Sequence, residues 1–370
     1  MIPLFRPCMG QAELEAVKDV LFSQWIGLGP KTAEFEQKFS EYIDVPYTVG
    51  LNSCTSALDM ALKLLGIKNG DEVIIPTMTF VSTAHAVAYN LAYPIFADVN
   101  TESRNIDLED VARKITCRTR AVIPVHYSGR PVDLDKLKEV VGDIPIIEDA
   151  AHACGSLYKG KHIGSHGNIA CFSFHAVKNL AMGDGGALTT DNKEYYERAK
   201  RMRWLGIDRG TWDRTAVDKS YWWEYLVDEI GLKCHMNDIS AAIGLAQLKK
   251  LDEMNSQRRR IKNLYNEGLK DIEQITLPLD DDDLYQSSWH IYSISCISRD
   301  KLSVYLQEKG ISTGVHYKPI HLYKCYGNTP TLPNAETLFN YILSLPMYPT
   351  LATNEVEYII DCIRGFYASR

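Results

Sequence analysis

The sequence has no cysteine pair at C-x-x-C spacing, and its nine cysteines, an odd number, are scattered over 370 residues. That argues against a disulfide framework and a thiolate zinc site, and it suggests reduced thiols in a cytoplasmic protein. Cys54, Cys154 and Cys171 read as small packing residues. There is no run of about eighteen apolar residues, so no transmembrane helix is expected. The start, Met1-Ile2-Pro3-Leu4-Phe5-Arg6-Pro7, lacks the charged and apolar regions of a secretory signal. A basic surplus is also missing. The 40 Lys and Arg face 47 Asp and Glu, for a net charge of −7, and clusters such as Arg258-Arg259-Arg260 have acidic neighbours. No nucleic-acid partner is expected. The acidic run Asp280 to Asp283 lacks the Gly and later Glu of a calcium loop and reads as solvated. Internal repeats and low-complexity segments are absent.

What is present is the balance of an ordinary globular protein, with 45% hydrophobic and 24% charged residues. At about 100–200 residues per domain, the length predicts about two domains. Up to about residue 190, short apolar runs alternate with helical patterns. Strands are predicted at Tyr47 to Leu51, Val73 to Pro76, Tyr93 to Asp98, Ala121 to Val125, Ile144 to Ile147, Ala170 to Phe174 and Gly186 to Thr190. Helices such as Thr55 to Leu65 and Leu134 to Val141 lie between them. This alternation predicts an α/β fold: a mostly parallel seven-stranded sheet flanked by helices. An amphipathic helix over Asn237 to Leu251 and a long charged helix over about Asp252 to Leu269 follow. A strand at His290 to Cys296 and helices at Ser298 to Lys309 and Glu355 to Tyr367 complete a smaller α+β domain. The predicted division is 1–250 and 251–370.

Three segments carry chemistry. Pro145 to His152 is an apolar strand ending in Glu148 and Asp149. In open α/β sheets the carboxyl ends of strands form the ligand crevice, although Asp149 reads equally as a turn or capping residue. The second segment delivers Ser173, then Lys178 five residues later, then the turn Gly183-Asp184-Gly185-Gly186. A lysine in a loop is ordinarily solvated. Here apolar flanks and a tight turn can desolvate the amine, depress its pKa and make it a Schiff-base nucleophile. The third is Asn52-Ser53-Cys54-Thr55-Ser56-Ala57 between strand and helix. Small hydroxyl residues there are ordinary caps, and the same geometry offers backbone N–H groups to a phosphate.

Together these segments resemble the DegT/DnrJ/EryC1/StrS sugar aminotransferases, pyridoxal-phosphate (PLP) enzymes of fold type I. The resemblance runs from Trp25-Ile26-Gly27-Leu28-Gly29-Pro30 through Asn52 to Ala57, Pro76-Thr77-Met78-Thr79-Phe80 and Val125-His126-Tyr127-Ser128-Gly129. It continues through the Asp149 and Lys178 elements to Gly231 to Asp238 and Thr313-Gly314-Val315-His316-Tyr317. Its strength is the ordered set, with Asp149 twenty-nine residues before Lys178.

The resemblance implies that Lys178 is the Schiff-base lysine and that Asp149 pairs with the pyridine nitrogen and keeps it protonated. His152 stands where the family usually has Gln, near the ring hydroxyl. Phe80 stacks on the ring or simply packs in the core. Thr55, Ser56 and Ser173 form the phosphate cradle. Lys233, or His235 two residues on, reaches the cofactor phosphate of a partner subunit in a homodimer; the plainer reading is polar residues before a helix. Arg209, His316 and Lys318 are expected as cations facing the diphosphate of a nucleotide-linked keto-deoxysugar substrate, with an amino-acid donor such as glutamate. Trp212 and Tyr221-Trp222-Trp223-Glu224-Tyr225 read as a lid or as a dimer patch. The implied chemistry is ping-pong transamination. Two alternatives are a sugar dehydratase of the same fold, in which His replaces the lysine, and a non-catalytic regulator. The retained Lys178 argues against the first, and the acidic charge argues against DNA binding.

Overall fold

The computed structural model describes residues 1–208, 225–327 and 330–368. Two helices open the main body, α1 (Gln11–Ser23) and α2 (Pro30–Ile43). Then β1 (Tyr47–Leu51), α3 (Cys54–Leu64), β2 (Glu72–Pro76), α4 (Ser82–Tyr89), β3 (Tyr93–Ala97), α5 (Leu108–Lys114), β4 (Thr119–Val122), α6 (Leu134–Val141) and β5 (Ile147–Asp149) alternate as the periodicity predicts. They are followed by β6 (Ile169–Ser173), β7 (Gly186–Thr190) and α7 (Lys193–Met202).

The strands form two ladders, β3-β2-β4 and β5-β6-β7-β1. Single parallel bridges, Val122 to Ile146 and Val125 to Asp149, join them edge to edge. β2, β6 and β7 are buried at every position, because helices cover both faces of the sheet. β7 is the reversed strand, antiparallel to both β6 and β1. A parallel return needs a crossover connection, usually helical, and the 174–185 connection that carries Lys178 contains no helix. Gly186 is obligatory in β7. A Cβ there would lie 2.3 Å from the Ser53 carbonyl carbon and 2.5 Å from the Cys54 nitrogen. Its absence lets the start of α3 sit directly on the sheet.

The segment 25–30 and the 231–238 segment meet. Asp238 Oδ1 accepts from the N–H groups of Gly29 and Thr32, and Oδ2 accepts from that of Lys31. A side chain about two hundred residues away thus caps α2.

Asp238 opens α8 (Asp238–Leu248), and α9 (Leu251–Leu269) follows after a break at Lys249 and Lys250. The single helix expected over Asn237 to Leu251 therefore ends earlier. The first turn of α9 places Leu251 and Met254 in the main body's core, and later turns place Ile261, Tyr265 and Leu269 in a second core. That core also holds α10 (Arg299–Glu308), α12 (Thr353–Ala368) and the antiparallel strands β8 (Tyr292–Cys296) and β9 (Ile342–Leu345). Between them, α11 (Pro333–Tyr341) sends Ala335 and Leu338 back to the first core. The amino terminus crosses the other way: Ile2 bridges to Ile311, and Met347 N–H donates to Leu4 O. Residue 250 lies at the α8–α9 break, and segments on either side of it pack with the other.

Candidate active site

Asp149 ends β5, in register with Cys171 on the parallel strand β6, which ends two residues later at Ser173. Its side chain is buried and doubly held. Oδ1 accepts from Ala151 N–H at 3.1 Å, and Oδ2 accepts from Thr83 Oγ1 at 2.8 Å. Thr83 Oγ1 in turn lies 2.9 Å from Thr79 Oγ1. Burial raises the pKa of Asp149, while the bonds to Thr83 and Ala151 and the charge of Lys178 act against it. A desolvated carboxylate, fixed in orientation and facing a pocket, is suited to a cationic partner.

The neighbouring Glu148 points away, as alternate strand residues do. Its Oε2 lies 3.0 Å from His126 Nε2, and its Oε1 accepts from Asn168 at 2.9 Å. His126 Nδ1 accepts from Val132 N–H, which places the ring proton on Nε2, facing Glu148. Both side chains are fully buried. A Glu148→Ala change leaves the buried His126 donor and the half-buried Asn168 donor unpaired and opens a void, so it is expected to cost about 3 kcal/mol. Denaturant unfolding measures this, and a change within error of zero would contradict a stabilising role for Glu148.

Lys178 lies on the connection between β6 and β7. Its own N–H donates to His175 O, Phe174 N–H to Gly185 O, and Met182 N–H to Phe174 O. Leu180, Ala181 and Met182 are buried, so the loop is packed rather than solvated. Burial pushes the amine down to about 8, against the pull of Cys54 and Asp149.

The third wall is the start of α3. Ser53 is the N-cap, accepting from Ser56 N–H at 3.1 Å, and the helix begins at Cys54, one residue before the expected start at Thr55. Thr55 and Ser173 line the pocket with Ser53, Asp149, His152 and Lys178. Ser56 Oγ is engaged with Asn52 Oδ1 at 2.7 Å and Ser53 Oγ at 3.0 Å, so Ser56 contributes to the cradle chiefly by holding its cap. The N–H groups of Cys54 and Thr55 at this helix start have no intrahelical acceptor, which suits an anion.

Phe80 is 58% exposed, with its ring 6.2 Å from that of Tyr317. Core packing is thereby excluded, and the ring is available to cover a ligand. His152 is buried. Its Nε2 lies 3.0 Å from Tyr317 Oη, and its Nδ1 has no partner.

The outer residues divide. The expectation of a cationic His316 is not met. Burial and the charge of Lys178 depress its pKa to about 4, and its Nδ1 lies 2.8 Å from Ser344 Oγ, so it is a neutral hydrogen-bonding ring. Lys318 is exposed, its ammonium 4.9 Å from the centre of the Tyr323 ring. The ammonium of Lys233 sits 3.1 Å over the Trp204 ring, and His235 packs edge-on against the same indole. Burial and the charge of Lys233 hold His235 down to about 4, leaving Lys233 as the cation of that segment. Arg209, Trp212 and Tyr221 to Glu224 lie outside the described residues.

Sequence reasoning missed Thr83, Tyr317 as a side-chain partner, and His290, whose Nε2 is 3.5 Å from Lys178 Nζ. The His290 segment, Ser288-Trp289-His290-Ile291-Tyr292, reads as the start of a strand, with no local sign that its histidine reaches a loop 112 positions earlier.

The residues fit PLP. Asp149 offers a fixed carboxylate, Lys178 a desolvated amine, the α3 start an anion cradle, and His152 an orphaned nitrogen. A family model described as the DegT/DnrJ/EryC1/StrS aminotransferase family matches residues 7–364. The chain is 36% identical to the spore coat polysaccharide biosynthesis protein SpsC of Bacillus subtilis, over 98% of this chain and 96% of that one. Its structure is similar to that of the aminotransferase TlmJ from Streptoalloteichus hindustanus (TM-score 0.94, 35% identity, covering 100% of this chain and 99% of that one). It is also similar to those of the sugar aminotransferase CalS13 from Micromonospora echinospora (TM-score 0.91, 30% identity, covering 99% of this chain and 100% of that one) and of Spr1654 from Streptococcus pneumoniae, a proposed sugar aminotransferase. The PMP form of Spr1654 gives a TM-score of 0.93 at 32% identity, covering 100% of both chains, and a PLP form is also known.

Proposed function

The chain belongs to the DegT/DnrJ/EryC1/StrS aminotransferase family, a PLP-dependent aminotransferase of fold type I, and from that premise we propose its reaction. It moves the amino group of an amino acid, L-glutamate, to the ketone of a nucleotide-linked keto-deoxysugar, most simply a 4-keto-6-deoxy sugar. The observation that carries this is the opposition of Lys178 and Asp149 in one pocket, an amine pushed down to about 8 and a carboxylate held by Thr83 and Ala151.

When bound, the cofactor supplies an electron sink that stabilises negative charge on the carbon bearing the amine. The protein's own groups do the rest. Asp149 would hold a proton on the cofactor's pyridine nitrogen by its charge. With Tyr317 Oη donating to Nε2, His152 Nδ1, which has no partner among the described residues, would carry the proton and donate to the ring oxygen, doing there the work of the amide that the family usually has. Thr55, Ser173 and the start of α3 would hold the phosphate, and Phe80 would cover the ring. Lys178 moves the proton at the donor carbon and later at the sugar carbon. Its depressed pKa leaves much of the amine neutral and able to accept a proton near pH 8.

Lys233 would reach the phosphate of a partner subunit's cofactor in a homodimer, and Lys318, with Arg209 by the family resemblance, would bind the substrate's diphosphate. The likeness to a spore coat polysaccharide biosynthesis protein and to a sugar aminotransferase supports a sugar acceptor.

The test is an absorbance spectrum before and after glutamate, followed by a screen of nucleotide keto-sugars. The yellow band should bleach with glutamate and return when the right acceptor is added, with ping-pong kinetics. A product aminated only at C3 would displace the 4-keto assignment, and no response to any amino donor would remove the function. In the same assay, Lys233→Ala should weaken PLP retention about tenfold by removing one phosphate contact; unchanged retention would sink that role.

A further inference from the structure

We infer that His290 is a positioning residue for Lys178: a ring locked in one tautomer, whose Nε2 lone pair holds the lysine's amine when it is not attached to the cofactor. The inference rests on the proposed function and adds to it a group outside the cofactor cradle.

The tautomer follows from a chain of hydrogen bonds. Asn179 Nδ2 donates to Asn255 Oδ1 at 2.8 Å and to Ser288 O at 2.8 Å. Both acceptors are oxygens, so the amide cannot be turned over, and its Oδ1 faces His290 Nδ1 at 3.1 Å. Nδ1 must then carry the proton, and Nε2 presents a lone pair to Lys178 Nζ at 3.5 Å. Asn255 is itself fixed, its Nδ2 donating to Cys154 O at 3.1 Å.

The ring plane is held independently. Phe5 stacks on His290 with centroids 5.5 Å apart and planes 10° apart, and the His152 ring packs 4.6 Å away, tilted by 38°. With Nδ1 bonded to Asn179 and two rings packed on it, His290 is held beside the amine. Burial and the neighbouring charge of Lys178 hold the ring well below its usual range, so it stays a neutral acceptor. The other titratable groups around the pair are Cys54 and Asp149 beside Lys178, and His152, His316 and Arg258 beside His290.

An acceptor at Nε2 does two things. It takes one N–H of the amine and so turns the nitrogen lone pair in a fixed direction. It also favours the ammonium modestly against the desolvation that disfavours it.

The experiment follows uptake of added PLP by cofactor-depleted enzyme, read as growth of the visible lysine-linked band over about pH 6 to 10. Uptake needs the neutral amine, so the wild-type rate should rise with pH and level off above a midpoint near 8. His290→Phe keeps the stacking and removes the acceptor. Its plateau rate should fall about tenfold through lost orientation, and its midpoint should move down by about one pH unit as the ammonium loses a partner. Asn179→Leu removes the oxygen that keeps the proton on Nδ1 without adding charge, so Nε2 is no longer held as an acceptor; its midpoint should also move down and its plateau rate fall. Downward shifts in both variants, with far-UV circular dichroism unchanged, support the inference, and should His290→Phe fail to fold, Asn179→Leu decides alone. Midpoints and rates at the wild-type value, or upward shifts, overturn it. A wild-type protein that takes up no PLP overturns the proposed function instead.

Discussion

A Lys178→Ala variant is expected to lose amino transfer by about 10⁴-fold, since one amine serves as both the covalent anchor and the proton carrier. The pocket that remains should still bind PLP, because Thr55, Ser173, Asp149 and the start of α3 are untouched. The bound cofactor should then show the spectrum of a free aldehyde, not of the lysine-linked form. Stability should be preserved or raised, since the change removes an amine that burial disfavours in its charged state. Single-turnover absorbance with glutamate reads the loss directly. A variant within tenfold of wild type would mean that another base carries the proton and that the assignment of Lys178 is wrong.

Asp149→Asn should reduce the glutamate half-reaction by about 10²–10³-fold, the scale for removing one preorganised electrostatic partner. The substitution is nearly isosteric. Its amide oxygen can still accept from Ala151 N–H, and its NH₂ can donate to Thr83 Oγ1 once that hydroxyl turns to accept. The fold should therefore survive, and the loss should be electrostatic. The neutral amide cannot hold a proton on the facing nitrogen, so the ring withdraws electrons less well. PLP retention should fall far less than the rate. A loss of both in parallel would mean that Asp149 acts as a structural anchor only, which the alternative reading as a turn residue already allowed.

The two positions illustrate why some of the site was readable along the chain. Asp149 ends an apolar strand, and Lys178 sits in a glycine-rich connection after another. Both signals are local, because strand ends in an α/β sheet converge on one edge. Thr83 holds Asp149 across 66 positions, and His290 meets Lys178 across 112. Neither carries a local signal, since a threonine in an early helical turn and a histidine before a strand are common in any fold. His316 shows the converse. Its residue type suggested a cation, but the environment that removes the charge is assembled from Phe5, Ser344 and Lys178, all distant in sequence.

By itself the sequence determined the alternation of strands and helices, because hydrophobic period acts over a few residues, and its ordered motifs, with Asp149 twenty-nine residues before Lys178, carried the resemblance to the family. The tertiary structure alone decided the reversal of β7, the crossing of the amino terminus onto the second core, the neutrality of His316 and the placement of His290. Each of these depends on which distant groups share a buried volume, and desolvation and hydrogen-bond pairing are properties of that volume, not of the residues that enter it.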